Sequence, residues 1–177
     1  MGVTACNDLE GSGDKGYVSR DGTVATVAVD DREAPIAYDG VDLDGKALSL
    51  ADFRGEPTVL VVWGSWCTDC RAEAPMVASA AEQLDGTAQF VGIDFRDLST
   101  AAPLAYVRAR DIDYPSFYSP DGEAILAFPG TLSLQAIPAF VVLDAEGRVA
   151  ASIIGRLPST QTLVDVTEDV AKETTRG

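Results

Sequence analysis

The sequence predicts an α/β fold in which a central mixed β-sheet is flanked by helices. A continuous β-branched and apolar run at 58–63 is typical of a strand that is covered on both faces. Strand and helix patterns then alternate as far as residue 110, which indicates layers of helices on a sheet. Apolar runs at 139–143 and 148–154 flank the turn 144–147 and predict an antiparallel hairpin. With 177 residues, 46% of them hydrophobic, the chain suits one folded domain plus a tail.

Turn and cap signals predict the other elements of the first half. Asp44–Gly45 is a turn signal between two short apolar segments, and Ser49 can cap a helical turn. Pro75 falls inside the longest helical pattern and should bend that helix. In order, the elements are a hairpin at 36–41 and 47–48, a helical turn at 50–53, and a helix from about 67 to 84.

The second half is predicted from the same kinds of signal. Ser99 or Thr100 can cap one helix and Ser159 or Thr160 another, while 120–122 is a turn signal. Besides the hairpin at 139–154, the predicted elements are a strand at 89–94, a helix to about 110, a short strand at 114–118, a short helix at 123–128 and a final helix to about 172.

The N-terminal region is predicted to be a tether. Residues 1–33 are rich in Gly, Asp and Ser and lack apolar patterning, so we place the folded domain at 34–174. The residues leading to Cys6 are small, as at the end of a bacterial lipoprotein signal, which makes Cys6 a candidate for lipidation. The alternative is a stray thiol in a flexible tail.

Composition limits the function classes. The net charge of −15 repels phosphate backbones, so nucleic acid is a poor candidate partner. Histidine is absent, which removes Ser-His-Asp triads and Cys-His pairs, and three cysteines cannot complete a four-ligand zinc site without a carboxylate. We therefore predict no metal and no cofactor other than a redox-active disulfide. No apolar run of 18 residues is present, so no membrane span is predicted.

The pair Cys67 and Cys70 is the most informative feature. It follows the strand at 58–63, where a helix should begin, and the unpaired N–H groups there favour a thiolate on Cys67. Taken alone, such a pair could be a structural disulfide, half of a metal site or a coincidence. The flanking pattern favours thiol–disulfide exchange.

A longer stretch resembles a known family. Residues 61–75 resemble the active-site segment of the TlpA/ResA/DsbE-like branch of the thioredoxin superfamily. Residues 42–53 and 137–147 resemble two further segments of that branch, so the similarity covers about 34–172. It implies a thioredoxin-like fold with an N-terminal hairpin and a short insertion before the cis-proline strand.

The resemblance also implies roles for the two cysteines. Cys67 would be the attacking thiolate, which forms a mixed disulfide with the substrate, and Cys70 would resolve it. From its position beside the cysteines, we expect Trp66 to pack against the site and to wall the substrate groove. The helix N-terminus favours the Cys67 thiolate while Asp69 opposes it, each by about 0.3–1 kcal/mol. We expect a Cys67 pKa near ambient pH and a reducing potential.

Three further positions match the family pattern. Pro138 matches the cis-proline, which would present the backbone of Ile137 to a substrate strand. Glu73 matches an acidic residue near the thiols and would accept the proton of Cys70, unless it is an ordinary solvated glutamate. Thioredoxin itself carries a buried acid where this chain has Val61, so Glu73 is the candidate to replace it.

The sequence thus predicts an extracytoplasmic, membrane-anchored or secreted protein thiol–disulfide oxidoreductase. By the resemblance, it would reduce selected protein disulfides, as in cytochrome c maturation, exchange electrons with a membrane donor or acceptor, and act as a monomer. One alternative is a disulfide-forming oxidant on the same fold. The other is a non-catalytic module that binds copper(I) through Cys67 and Cys70.

Overall fold

The structure is a computed structural model and describes residues 24–174. In chain order, the strands are β1 (Val24–Thr26), β2 (Asp39–Val41), β3 (Ala47–Ser49), β4 (Thr58–Trp63), β5 (Gln89–Phe95), β6 (Ser116–Ser119), β7 (Ala139–Leu143) and β8 (Val149–Ile154). The helices are α1 (Thr68–Gln83), α2 (Ala101–Ala109), α3 (Glu123–Leu126) and α4 (Thr160–Thr174).

The main sheet is mixed, as predicted. Its six strands lie in the order β1-β8-β7-β4-β5-β6. The pairs β4·β5 and β5·β6 are parallel, whereas β7 and β8 form the predicted antiparallel hairpin and β7 joins β4. All six residues of β4 are buried, because the strand lies mid-sheet and is covered on both faces.

The two faces of the sheet carry different layers. Helices α1, α2 and α4 contribute to the apolar cluster on the face that includes Val61 and Trp63. The hairpin β2·β3, the turn at Leu50–Phe53 and α3 cover the other face, which includes Leu60 and Val62. Because parallel crossovers in one direction are right-handed, α1 and α2 must lie on the same face.

Most predicted elements are confirmed, with small shifts. The short strand spans Ser116–Ser119 instead of 114–118, since the Tyr114 ring packs against Phe90 and the ladder begins after Pro115. The short helix ends at Leu126, two residues before the predicted end. The predicted insertion before the cis-proline strand corresponds to residues 120–138, between β6 and β7.

The predicted start of the folded domain at residue 34 is wrong. Val24–Thr26 pairs with β8 at the edge of the main sheet, and Val24 is buried. This strand is not recognisable from its residues, because a strand of three residues is too short for a period-two pattern and is stabilised by its partner strand. Cys6 and the rest of the predicted tether up to residue 23 lie outside the described residues.

Arg32 fixes the segment that follows β1. Its buried guanidinium donates to the carbonyl of Val27 at 3.1 Å and to the carboxylate of Asp144 at 3.1 Å. It also pairs with the carboxylate of Glu173 in α4. Residues assigned to the tether are therefore tied to both the β7–β8 turn and the last helix.

Candidate redox site

The turn after β4 places Cys67 at the start of α1. The backbone N–H of Cys67 donates to the carbonyl of Gly64 at 3.0 Å. Cys67 is the N-cap of α1, and its Sγ accepts the backbone N–H of Cys70 at 3.1 Å. Because N–H groups at a helix N-terminus favour negative charge, a Cys67 thiolate would keep this contact. The predicted order of strand, turn and helix is confirmed.

Cys67 and Cys70 form a disulfide, with their Cα atoms 5.3 Å apart. In this disulfide state Cys67 is only 5% exposed. Its Sγ turns back under the first helical turn to reach Cys70, and both residues belong to the apolar cluster on that face.

Glu73 is buried, so the interpretation as a solvated glutamate is wrong. It is 2% exposed, its Oε1 accepts the backbone N–H of Leu157 at 3.1 Å, and its Oε2 has no hydrogen-bond partner among residues 24–174. Burial raises the pKa of Glu73, while the Leu157 hydrogen bond and Arg156, 3.8 Å from Oε1, oppose this shift. Asp69 adds to the rise. A carboxyl whose pKa is raised by burial takes up a proton more readily than an exposed one, so Glu73 is suited to accept a proton from a nearby thiol.

A small cavity joins Glu73 to Cys70. It has a volume of about 20 Å³, enough for one water molecule, and Cys70, Glu73, Tyr106 and Pro138 are among its lining residues. The hydroxyl of Tyr106 donates to the carbonyl of Cys70 at 3.2 Å, and its ring stacks on Trp63 at 4.7 Å. Sequence reasoning missed Tyr106, because one aromatic residue on an amphipathic helix looks like any core residue.

The bond between Ile137 and Pro138 is cis, as the resemblance implied. Pro138 is buried beside the cavity, and its carbonyl accepts the N–H of Gly155 at 2.9 Å. Within the described part of the chain, the backbone N–H and carbonyl of Ile137 make no hydrogen bond. Ile137 is only partly buried.

The loop before Cys67 is pinned to the end of β5. Asp97 accepts the backbone N–H of Ser65 at 2.8 Å and the Ser65 hydroxyl at 2.6 Å. The indole N–H of Trp66 donates to the carbonyl of Phe95 at 2.9 Å, which leaves the Trp66 side chain 46% exposed. A Cβ on Gly64 would lie 2.9 Å from that same carbonyl oxygen, so the close approach requires glycine. Asp97 is a further residue that the sequence did not reveal.

Residues 24–174 contain neither a metal-binding cluster nor a membrane-spanning helix. No group of three or more Cys, Asp or Glu side chains there is arranged to hold a metal ion. No helix in this range has the length and apolar character needed to cross a membrane.

Comparison with known proteins identifies the family. The family model described as Redoxin matches residues 22–170. The chain belongs to the Redoxin family. A relative, the thiol-disulfide oxidoreductase ResA of Bacillus cereus (strain ZK / E33L), is 28% identical over 125 residues, which cover 70% of this chain and 69% of ResA. The thiol:disulfide interchange protein DsbE of Pseudomonas aeruginosa is 30% identical over 110 residues, which cover 62% and 57% of the two chains.

Solved structures agree with this assignment. A DsbF homologue from Corynebacterium diphtheriae has a TM-score of 0.78 and 29% identity, with 89% of this chain and 99% of the other covered. A secreted thiol-disulfide isomerase from Corynebacterium glutamicum has a TM-score of 0.79 and 27% identity, with coverage of 88% and 96%. The predicted thioredoxin-like fold is confirmed. The chain is a thiol–disulfide oxidoreductase of the DsbE/ResA type.

Proposed function

We propose that this oxidoreductase reduces disulfides in protein substrates, with Cys67 as the attacking thiol and Cys70 as the resolving thiol. The observation that carries the proposal is the Cys67–Cys70 disulfide at the N-terminus of α1, with a buried carboxyl on the same helix. One sulfur is the N-cap, where a thiolate is favoured, and the other lines the cavity that reaches Glu73. The two sulfurs therefore have unequal surroundings, which supports unequal roles.

The reaction requires two exchanges. The Cys67 thiolate attacks a substrate disulfide, forms a mixed disulfide and releases one substrate thiolate. Cys70 then loses its proton to Glu73 and attacks the Sγ of Cys67, which releases the second substrate thiolate and closes the Cys67–Cys70 disulfide. Two electrons pass from the dithiol to the substrate, and the proton on Glu73 leaves to solvent. A dithiol donor, here assigned to the membrane, must reduce the chain again.

The charges around the pair support the reducing direction of electron flow. The Cys67 thiolate gains the Cys70 N–H, but Asp69 and Glu73 lie on the same helix and oppose a second negative charge. A weakly stabilised thiolate gives a low reduction potential, because strong oxidants have a strongly stabilised reduced form. Titration against glutathione should give a value nearer to about −270 mV than to about −120 mV. A reduction potential near about −120 mV would instead establish that the protein is a disulfide-forming oxidant.

The role of Cys70 can be tested by trapping. In Cys70→Ser, the mixed disulfide on Cys67 cannot be resolved, so substrate proteins from the native host should remain attached until a reductant is added. Cys67→Ser is the matched control and should trap nothing. Equal trapping by both variants would contradict the assignment of roles.

The role of Glu73 can be tested in the same assay. Glu73→Gln keeps the volume but cannot accept the Cys70 proton, so resolution of the mixed disulfide should slow by about 10²-fold. Glu82→Gln changes an exposed glutamate of α1 and should leave the rate unchanged. Normal resolution in Glu73→Gln would remove Glu73 from the mechanism.

Substrate contact and location complete the proposal. An incoming strand would pair with the backbone of Ile137 beside Pro138 and pass the exposed Trp66. Lipidation of Cys6 would anchor the protein outside the cytoplasm, in keeping with the secreted Corynebacterium glutamicum relative. Membrane fractionation of Cys6→Ser tests whether Cys6 carries a lipid anchor. Sedimentation of the purified protein tests whether it is a monomer. The cytochrome c content of a deletion strain tests whether the substrates belong to cytochrome c maturation.

A further inference from the structure

Asp94 is a buried acid that the exchange chemistry does not use. It lies in β5, opposite Trp63 of β4 and Tyr118 of β6, on the face covered by α1 and α2. It is fully buried, and neither carboxyl oxygen has a hydrogen-bond donor among the described residues. An ionised carboxylate without a donor is costly in such a place, so the acid should be neutral.

Asp97, three residues further on, is a charged neighbour of Asp94. Burial raises the pKa of Asp94 to about 9, and the neighbouring carboxyl of Asp97 adds to the rise. Two carboxylates cannot bond to each other, because both only accept, so a hydrogen bond between them requires a proton on one. Asp97 already accepts two hydrogen bonds from Ser65, whereas Asp94 has none, which places the proton on Asp94.

No cation offsets this pair. Within residues 24–174, none of the ion pairs includes Asp94 or Asp97. The guanidinium of Arg96 lies over the ring of Phe95, which belongs to the cluster on the opposite face of the sheet. The neighbouring strands contribute Trp63 and Tyr118, and among residues 24–174 Asp97 is the only charged residue that acts on the Asp94 carboxyl.

We propose that Asp94 is a positioning residue of the redox site. Its neutral carboxyl donates a hydrogen bond to Asp97, and Asp97 in turn holds the loop 64–66 that precedes Cys67. This loop ends at the nucleophile, and Trp66 adds a second side-chain hydrogen bond, to the carbonyl of Phe95 in β5. Ionisation of Asp94 would place two negative charges side by side in the interior and weaken the hydrogen bonds that Asp97 accepts from Ser65.

Two substitutions of Asp94 separate the proton from the side-chain volume. Asp94→Asn can still donate to Asp97 but cannot ionise, whereas Asp94→Leu fills a similar volume and can neither donate nor ionise. The assay is the rate of insulin disulfide reduction between about pH 6 and about pH 10. Each rate is divided by that of the wild type, so that the ionisation of Cys67 cancels.

We expect Asp94→Leu to be about tenfold slower than Asp94→Asn at neutral pH, since small displacements of reacting groups cost one to two orders of magnitude in rate. We also expect the ratio of Asp94→Asn to wild type to rise through a midpoint near the pKa of about 9. Asp85→Asn, a change at an exposed aspartate, should give a ratio near one throughout.

A ratio for Asp94→Asn that stays flat with pH, or equal rates for Asp94→Asn and Asp94→Leu, would overturn the inference. If Asp94→Leu does not fold, the pH profile of Asp94→Asn still decides whether Asp94 is a positioning residue. If the wild type does not reduce insulin, the proposed direction of electron flow fails by itself. In that case, the rate at which iodoacetamide alkylates reduced Cys67 tests the role of Asp94 in holding the loop 64–66. It is measured for the same variants over the same pH range, and the ratios of variant to wild type are expected to be the same.

Discussion

Replacing Asp94 by Asn should change how the stability of this protein depends on pH. The folded state holds a proton on Asp94 up to a pKa of about 9, whereas the same carboxyl in the unfolded chain has the ordinary value of 3.8. Between these values the folded state binds more protons than the unfolded state. The contribution of Asp94 to stability therefore falls as the pH rises. Asn does not titrate, so the variant loses this dependence.

The magnitude follows from the unfolded state. Each pH unit above the unfolded pKa costs the wild type about 1.4 kcal/mol, as long as the folded carboxyl keeps its proton. Between about pH 4.5 and about pH 7.5, Asp94→Asn should therefore gain about 4 kcal/mol in unfolding free energy relative to the wild type. This figure does not depend on the exact folded pKa, provided that the value lies above the measured range.

Urea unfolding of the two oxidised proteins at several pH values in this range measures the difference directly. Other carboxylates, such as Asp144 with its lowered pKa, titrate in both proteins and cancel. Asp85→Asn serves as the exposed control and should show no slope. A difference that is constant with pH, or that grows towards acid, would refute the assignment of a neutral Asp94.

Three further substitutions test other contacts. Arg156→Gln removes the cation 3.8 Å from Glu73, so the pKa of Glu73 should rise further. The pH profile for resolution of the mixed disulfide should then move to higher pH, and this displacement should be smaller at high salt. Arg32→Met leaves the buried Asp144 with one cation fewer, so the unfolding free energy measured in urea should fall by about 3 kcal/mol. Phe140→Ala deletes a buried ring beside the cavity and should cost about 3–5 kcal/mol in the same measurement.

Each of these predictions has a matched control. Asp69→Asn should move the Glu73 profile in the opposite direction to Arg156→Gln, and a common direction would contradict the electrostatic explanation. Arg108→Met and Leu126→Ala alter exposed side chains and should change the unfolding free energy by less than about 0.5 kcal/mol. Losses as large as those of the buried positions would mean that burial does not explain them.

The local features of the site could be predicted from the sequence. The strand, the turn and the helix around Cys67 depend on residues 58–84 alone, and the cap position of Cys67 follows from where the helix must begin. The hairpin at 139–154 was predictable for the same reason, since its strands are neighbours in the chain. The edge strand β1 was not, because its three residues are stabilised by β8, more than 120 positions away.

The sequence by itself determined the α/β fold and the exchange chemistry, because hydrophobic period, helix capping and cysteine spacing act over a few residues. Only the tertiary structure decided three features of the site. Glu73 is buried and bonded to the backbone of Leu157, Tyr106 lines the cavity and bonds to the carbonyl of Cys70, and the buried Asp94 is next to Asp97. The charge and proton affinity of these groups depend on the surface removed from water when distant segments meet. No local pattern of residue types records that burial.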